Sequence, residues 1–328
     1  MKFNLITILG PTATGKTKLA VQLADCFNGE IISADSRQVY RGMNIGTGKD
    51  LSEYFINGRQ IPYRLIDIID PTEEFNLFSF QQNFYKSFDE IKSKNKLPFL
   101  VGGTGMYLSS ILQNYNLSKA DFETIQQEYF PLSDEALKNV LKELNPDLHN
   151  TTDLNNRERI IKAIAVSKSQ LEFPSFHFEP NLSGEKSVKT IGKDFSVTSL
   201  PRNDNNKIAN PLVIGVSLNR DEIKKRITLR LKKRLDEDGM IEEVKSLMDA
   251  GISYDKMIFF GLEYKFIALY LKGELNKNDM FQKLNSSIHS FAKRQMTWFR
   301  KMEKEGVVIN WIDGPDFNKA KKLIEISL

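Results

Sequence analysis

Gly10-Pro11-Thr12-Ala13-Thr14-Gly15-Lys16-Thr17 fits the pattern G-x-x-x-x-G-K-[ST] at every position. An apolar stretch rich in β-branched residues, 3–9, leads into it and reads as a buried strand. Beyond it Leu19, Leu23 and Phe27 recur at four-residue steps, the mark of a helix, which Asn28-Gly29 closes. Strand, glycine turn and helix in that order make a cradle for phosphate. Glycines let backbone N–H groups turn inward around an anion. The helix that follows presents its positive end to the same anion. Lys16 supplies a mobile positive charge, and the Thr17 hydroxyl is placed to help hold Mg²⁺. The loop from Gly10 to Thr17 is therefore the candidate diphosphate- or nucleotide-binding site, with Thr17 as the metal ligand. The motif does not distinguish ATP from another diphosphate.

Working outward, Ile31 and Ile32 make a second strand that ends at Asp35, and Ile66 to Ile69 read as a third. Residues 79–94 read as a helix with Phe80, Phe84, Phe88 and Ile91 on one face. Pro98 to Val101 enter another strand, which opens into Gly102-Gly103-Thr104-Gly105. Strands alternating with helices predict an α/β fold, a P-loop NTPase-like parallel sheet. From about residue 116 the periodicity turns helical, and 171–209 is polar and loop-rich. Strand character returns at Leu212 to Leu218, and helices then dominate to about residue 303. The expected organisation is a discontinuous P-loop core, 1–116 plus 210–328, interrupted by a mostly helical insertion, 117–209.

The 328 residues are 41% hydrophobic and 27% charged, a globular balance that excludes a disordered or membrane-embedded chain. No apolar run approaches the roughly 20 residues needed to span a bilayer. The single cysteine, Cys26, leaves no internal disulfide or cysteine-cluster metal site, and its place in an apolar-patterned helix predicts an inert core thiol. His149, His177 and His289 have no ligand spacing, so no zinc site is expected. A cytoplasmic monomer fits these features. The net charge of +4 is mild, but its distribution is not. Arg220, Lys224, Lys225, Arg226, Arg230, Lys232, Lys233 and Arg234 crowd one segment, and Lys293, Arg294, Arg300, Lys301 and Lys304 another. On a helix over 221–236, Ile223, Ile227, Leu231 and Leu235 share one face and Arg226, Arg230 and Lys233 another. The basic face reads as part of a tRNA or diphosphate groove. Trp298 and Phe299 read as core.

After the second strand comes Ser33-Ala34-Asp35-Ser36-Arg37-Gln38-Val39-Tyr40. On its own, Asp35 at a strand end could be a metal-coordinating aspartate of an ordinary P-loop kinase. Taken together, GPTATGKT at 10–17, SADSRQVYRGMNIGTGKD at 33–50, VGGTGMY at 101–107, NNRERIIKA at 155–163 and FAKRQMTWFR at 291–300 resemble the bacterial tRNA dimethylallyltransferase family. The blocks occur in family order and span about residues 5–300.

The resemblance implies a kinase-like core with a changed use. The loop would hold dimethylallyl diphosphate, and the insertion would help grip a tRNA anticodon stem-loop. It makes Asp35 the acceptor of the adenine amine's proton, with Thr104 beside the target nucleotide. Arg220, Lys16 and Mg²⁺ would stabilise charge on the departing diphosphate. It implies tRNA contacts from Asp35, Ser36, Arg37, Gln38 and Thr104, and from Glu158, Arg159, Ile160, Ile161 and Lys162 in the fourth block. Two stretches depart from the family pattern: Arg37 stands where methionine is common, and Phe259-Phe260-Gly261-Leu262-Glu263-Tyr264 replaces a more usual A-I-G-Y-K-type run. Ala165 also stands where the family often has glutamate. Three rivals remain at this point: a small-metabolite kinase, a prenyltransferase of free adenine nucleotides, and an inactive RNA-binding protein.

Overall fold

Every residue of Leu5–Leu9 is buried, Thr7 included. A strand covered on both faces belongs in the interior of a parallel sheet, and the computed structural model, which describes residues 3–115, 117, 122–144, 157–172 and 209–327, places it there. In chain order the first part comprises β1 (Leu5–Leu9), α1 (Lys16–Cys26), β2 (Gly29–Ala34), a short hairpin of β3 (Phe55–Ile56) and β4 (Arg59–Gln60), β5 (Tyr63–Arg64), α2 (Leu77–Ser93), β6 (Leu97–Gly102) and α3 (Gly105–Leu112). Three helices follow: α4 (Phe122–Tyr129), α5 (Asp134–Leu144) and α6 (Arg157–Glu172). The chain then supplies β7 (Pro211–Ser217), α7 (Arg220–Asp236), α8 (Met240–Asp249), α9 (Tyr254–Phe260), α10 (Leu262–Leu271), α11 (Lys277–Lys304), β8 (Ile309–Asp313) and α12 (Phe317–Ser327).

Six strands form one sheet in the order β5-β2-β6-β1-β7-β8, and every pairing is parallel. Parallel neighbours need crossover connections, and helices supply them on both faces. One face is packed by Phe80, Phe84, Phe88 and Ile91 of α2, with Leu108 of α3 and Phe299 of α11. The other is packed by Leu19 and Leu23 of α1 with Ala320 and Ile324 of α12. A third core joins α7 through α11 and includes Val39, Tyr40 and Met43 from the segment after β2.

The chain divides into two units, Met1–Leu112 with Ile208–Leu328, and Gln113–Lys207. In the second, Ile125, Leu137, Leu141, Ile160, Ile161, Ile164 and Ala165 make a small core of their own. Arg157 closes it at one end by pairing with Asp134 and donating to the carbonyls of Phe130 and Leu132. The polar stretch expected to be loop-rich falls largely outside the described residues, as do His149 and His177. Among the described residues no helix is long and apolar enough to cross a membrane.

Several expectations need correction. Ile66 to Ile69 do not form a strand. The third strand of the sheet's edge is Tyr63–Arg64, after which Leu65 and Asp67 take φ of 61° and 55° and break the extended backbone. Leu65 and Ile66 are nonetheless buried, so their apolarity fills the core from an irregular segment. Gly29 opens β2 rather than ending the helix, and the left-handed residue at that turn is Asn28, φ 50°. Cys26 is exposed, because the buried stripe of α1 is Leu19, Ala20, Leu23 and Ala24 and position 26 lies off it. Finally, β8 and α12 complete the sheet and its cover beyond the region where only helices were expected.

Candidate active site

In an open parallel sheet, ligands gather beyond the carboxyl ends of the strands. Here four neighbouring strands, β2, β6, β1 and β7, deliver the motifs to one end. The glycine loop leaves β1, the Asp35 loop leaves β2, Gly103-Thr104 leaves β6, and Arg220 follows β7.

Internal hydrogen bonds hold the glycine loop. Thr14 Oγ1 donates to the Pro11 carbonyl at 2.9 Å, and Lys16 Nζ reaches the same carbonyl at 3.4 Å. Ala13 and Gly15 take φ of 67° and 83°, which turns the loop back into α1. No side chain caps α1, which leaves its first N–H groups without a capping side chain at the end that the loop enters. Burial pushes the Lys16 ammonium down to about 8; Asp35 opposes that shift and Arg230 adds to it. Arg230, whose α7 position suggested an RNA or diphosphate groove, points at this loop: its Nη2 donates to Thr12 Oγ1 at 2.5 Å. Burial, then the neighbouring Arg234, lowers the Arg230 guanidinium to about 10. Two cations depressed by burial beside a nest of N–H groups make a place where an anion gains more than it would in water.

Asp35 begins a turn that it caps itself. Its Oδ1 accepts the backbone N–H groups of Arg37 at 2.9 Å and Gln38 at 3.4 Å. Ser36 N–H donates to Thr104 Oγ1 at 3.1 Å, and Thr104 N–H donates to the Ala34 carbonyl at 3.2 Å. The two loops are so close that a Cβ on Gly102 would lie 2.3 Å from the Ala34 oxygen. Gln38 accepts from Ser33 Oγ at 3.1 Å and donates to the Gly48 carbonyl at 3.2 Å. The Gly48 loop is in turn pinned by Glu243, whose carboxylate accepts the N–H groups of Asn44, Ile45 and Gly46 and the Tyr264 hydroxyl. Arg37 donates to the Phe259 carbonyl at 3.2 Å, so the two stretches that depart from the family pattern touch each other.

The structure thus brings together Gly10 through Thr17, Asp35, Ser36, Arg37, Gln38 and Thr104. Arg220 opens α7 with its side chain exposed. Ile160 and Ile161 are core residues of the helical unit, 1% and 6% exposed, and offer no surface to a ligand. Glu158 and Lys162 on the same helix are exposed, and the Arg159 side chain lies outside the described set. Arg226 pairs with Glu222 at 2.6 Å and Lys233 with Asp238 at 3.3 Å. Gln295 of α11 was missed. Its Oε1 accepts the Thr12 N–H and its Nε2 donates to the Gly103 carbonyl, both at 2.9 Å. A Cβ on Gly103 would collide with that amide at 2.3 Å. The available signal was a polar residue within the helical stripe Ile288, Ala292, Phe299, all buried.

An all-parallel sheet covered on both faces, with a glycine loop feeding a helix N-terminus at its carboxyl edge, defines a protein of the P-loop NTPase-like fold class. Within that class the chain belongs to the IPP transferase family, whose model matches residues 38–302. It is 49% identical over 315 residues to tRNA dimethylallyltransferase 1 of Geotalea daltonii, covering 96% of this chain and 92% of the relative. It is 48% identical to tRNA dimethylallyltransferase 1 of Geotalea uraniireducens, covering 100% and 99%. Among solved structures, the full-length tRNA isopentenylpyrophosphate transferase from Bacillus halodurans superposes with a TM-score of 0.64 at 32% identity, covering 99% of this chain and 94% of that one. A eukaryotic dimethylallyltransferase acting on tRNA shares the fold at 20% identity, TM-score 0.64, covering 98% of this chain and 76% of that one.

Proposed function

We propose that this protein transfers a dimethylallyl group from dimethylallyl diphosphate to the exocyclic N6 of the adenosine 3′-adjacent to the anticodon in tRNA. The observation that carries the reading is the meeting, at one edge of the sheet, of a phosphate loop with a carboxylate loop that it faces across β6. Family membership supplies the chemistry that such a pair serves.

The transfer forms a bond between N6 and the allylic carbon and breaks that carbon's bond to the diphosphate oxygen. The N6 proton passes to the Asp35 carboxylate and then to solvent, and diphosphate leaves with the electron pair. An adenine amine is a weak nucleophile because its lone pair is delocalised into the ring, so removing its proton as the bond forms lowers the barrier. One Asp35 oxygen is engaged by its own turn, and the other is available to the amine. Thr104, fixed against Ser36, orients the extruded base, which a single-stranded loop releases at a cost of roughly a few kcal/mol. The loop N–H groups, Lys16 and Arg230 hold the diphosphate and meet the charge that develops on it. Exposed Arg220 is assigned to the same leaving group.

Thr17 offers a single hard oxygen at the start of α1. Mg²⁺ keeps several waters and takes its remaining ligands from phosphates rather than from a protein cage, and this donor set fits a metal arriving with the substrate. When bound, Mg²⁺ would neutralise charge on the diphosphate. On the RNA side, Ser36, Arg37 and Gln38 are assigned to the target nucleotide. Glu158, Arg159 and Lys162 of the helical unit, with Lys293, Arg294 and Arg300 of α11, are assigned to the anticodon stem-loop.

The test is mass spectrometry of tRNA nucleosides after incubation with purified protein and dimethylallyl diphosphate. The expected product is N6-dimethylallyladenosine at the anticodon-adjacent position. Unmodified tRNA, with steady ADP release from ATP alone, would return the protein to the kinases.

A further inference from the structure

Phe259, at the end of α9, is 64% exposed. A lone exposed apolar ring needs no explanation, but this one has unusual company. The Arg37 guanidinium carbon lies 5.6 Å from the Phe259 ring centroid, and Lys256 Nζ lies 5.4 Å from it. The ring meets that of Phe260 edge-on at 6.0 Å. Its neighbour Phe260 is 2% exposed and packs edge-on against Tyr40 and Tyr264 at 5.0 and 5.9 Å. Arg37 also grips the Phe259 carbonyl, while its own N–H is held by Asp35. A chain of direct contacts therefore runs from the carboxylate proposed as base, through Arg37, to an exposed aromatic flanked by two cations.

We propose that Phe259 is a stacking platform for a nucleobase that flanks the target adenosine in the substrate loop, with Arg37 and Lys256 set toward the phosphates beside it. The inference rests on the tRNA prenylation reading and names a subsite of it. An aromatic face beside cations is the recognition chemistry of unpaired RNA: the ring takes a base of any identity by stacking, and the cations take the backbone. Extruding the target base strips its neighbour of a stacking partner, and Phe259 restores one next to the carboxylate. The contact fixes the RNA rather than the transition state, so Phe259 acts on substrate binding and leaves the chemical step alone.

The experiment compares wild type, Phe259→Ala, Phe259→Leu and Phe259→Trp on an anticodon stem-loop RNA. Intact and abasic substrates are used, the abasic site placed on each side of the target adenosine in turn. Phe259→Ala and Phe259→Leu should raise KM by about 10-fold or more, the scale of one lost base stack, with kcat within about twofold. Phe259→Trp should restore KM. At the stacked position the abasic site should raise the wild-type KM and leave that of Phe259→Ala unchanged, since paired deletions of one contact do not add. Binding of RNA carrying 2-aminopurine at each flanking position reads the stack independently of prenyl transfer. Quenching in wild type that is lost in Phe259→Ala supports the platform even if no product forms. An unchanged KM in Phe259→Ala, fully additive losses at both positions, or equal quenching in both proteins would overturn it. Failure of the prenylation reading would show instead as RNA that binds and quenches but is never modified.

Discussion

The side-chain carbonyl of Gln295 accepts the backbone N–H of Thr12 at 2.9 Å, across 283 residues of chain. The same amide holds Gly103, so one buried side chain ties the phosphate loop to the glycine turn that carries Thr104. Removing it leaves a part-buried N–H and a buried carbonyl without this partner, at a cost of about 1–3 kcal/mol. Gln295→Ala should weaken dimethylallyl diphosphate binding by roughly 10-fold, that penalty falling on the loop's bound shape. Calorimetric titration of the donor checks this; unchanged affinity would reduce Gln295 to a packing residue.

Lys16 should make donor binding pH-dependent. In the free protein its ammonium titrates at about 8 because burial disfavours the charge. A bound diphosphate favours the charged form, so affinity should fall as pH rises through about 8, and binding above that pH should take up a proton. Titrations in two buffers of different ionisation enthalpy measure the uptake. Lys16→Ala should abolish it and most donor affinity while leaving tRNA affinity largely intact. Equal loss of tRNA binding would contradict the separation of the two sites.

Asp35→Asn isolates proton transfer from shape. Asparagine keeps an oxygen for the Arg37 and Gln38 N–H groups but removes the basic carboxylate. Donor and tRNA affinities should stay near wild type while the single-turnover rate falls by roughly 10²–10⁴. A magnesium titration is the control. Recovery of the rate at high metal would make Asp35 a metal ligand instead.

The basic residues separate by where they point. Arg230→Ala should weaken donor binding, since Arg230 meets Thr12, and should leave the salt dependence of tRNA binding unchanged. Replacing exposed Lys293, Arg294 and Arg300 together should flatten the slope of log affinity against log salt by about 2. Parallel salt titrations of the two variants decide between these assignments.

The elements legible in the sequence were those in which an apolar run meets a glycine turn or a helical stripe lasts several turns. The β1 loop, β2, β6 and α2 are of that kind. What stayed hidden depends on distant partners. Gln295 reads as one polar residue in a long helix, and its role is defined by Thr12 and Gly103. Arg230 was read with Arg226 and Lys233 as one basic face of a tRNA or diphosphate groove; that it alone of the three meets Thr12 follows from its place beside the inward stripe of Ile227, Leu231 and buried Arg234. Ile66 to Ile69 looked like a strand because burial demands apolar residues whatever the backbone does. Ile160 and Ile161 were assigned to a surface because they sit inside a motif, and motifs contain the residues that hold the helix in place as well as those that touch a substrate.

The phosphate loop leaves β1 and the Asp35 loop leaves β2, with β6 between them. Two strand spacings, roughly 10 Å, therefore separate the part proposed to hold the leaving group from the part proposed to take the proton. That interval is a gauge fixed by backbone hydrogen bonds, and no hinge can widen it without tearing the sheet. A longer isoprenoid could not be admitted by spreading the jaws; its extra carbons would have to run sideways out of the gap. Selection for a different chain length would act on the side chains at that exit and leave the reacting atoms the same distance apart.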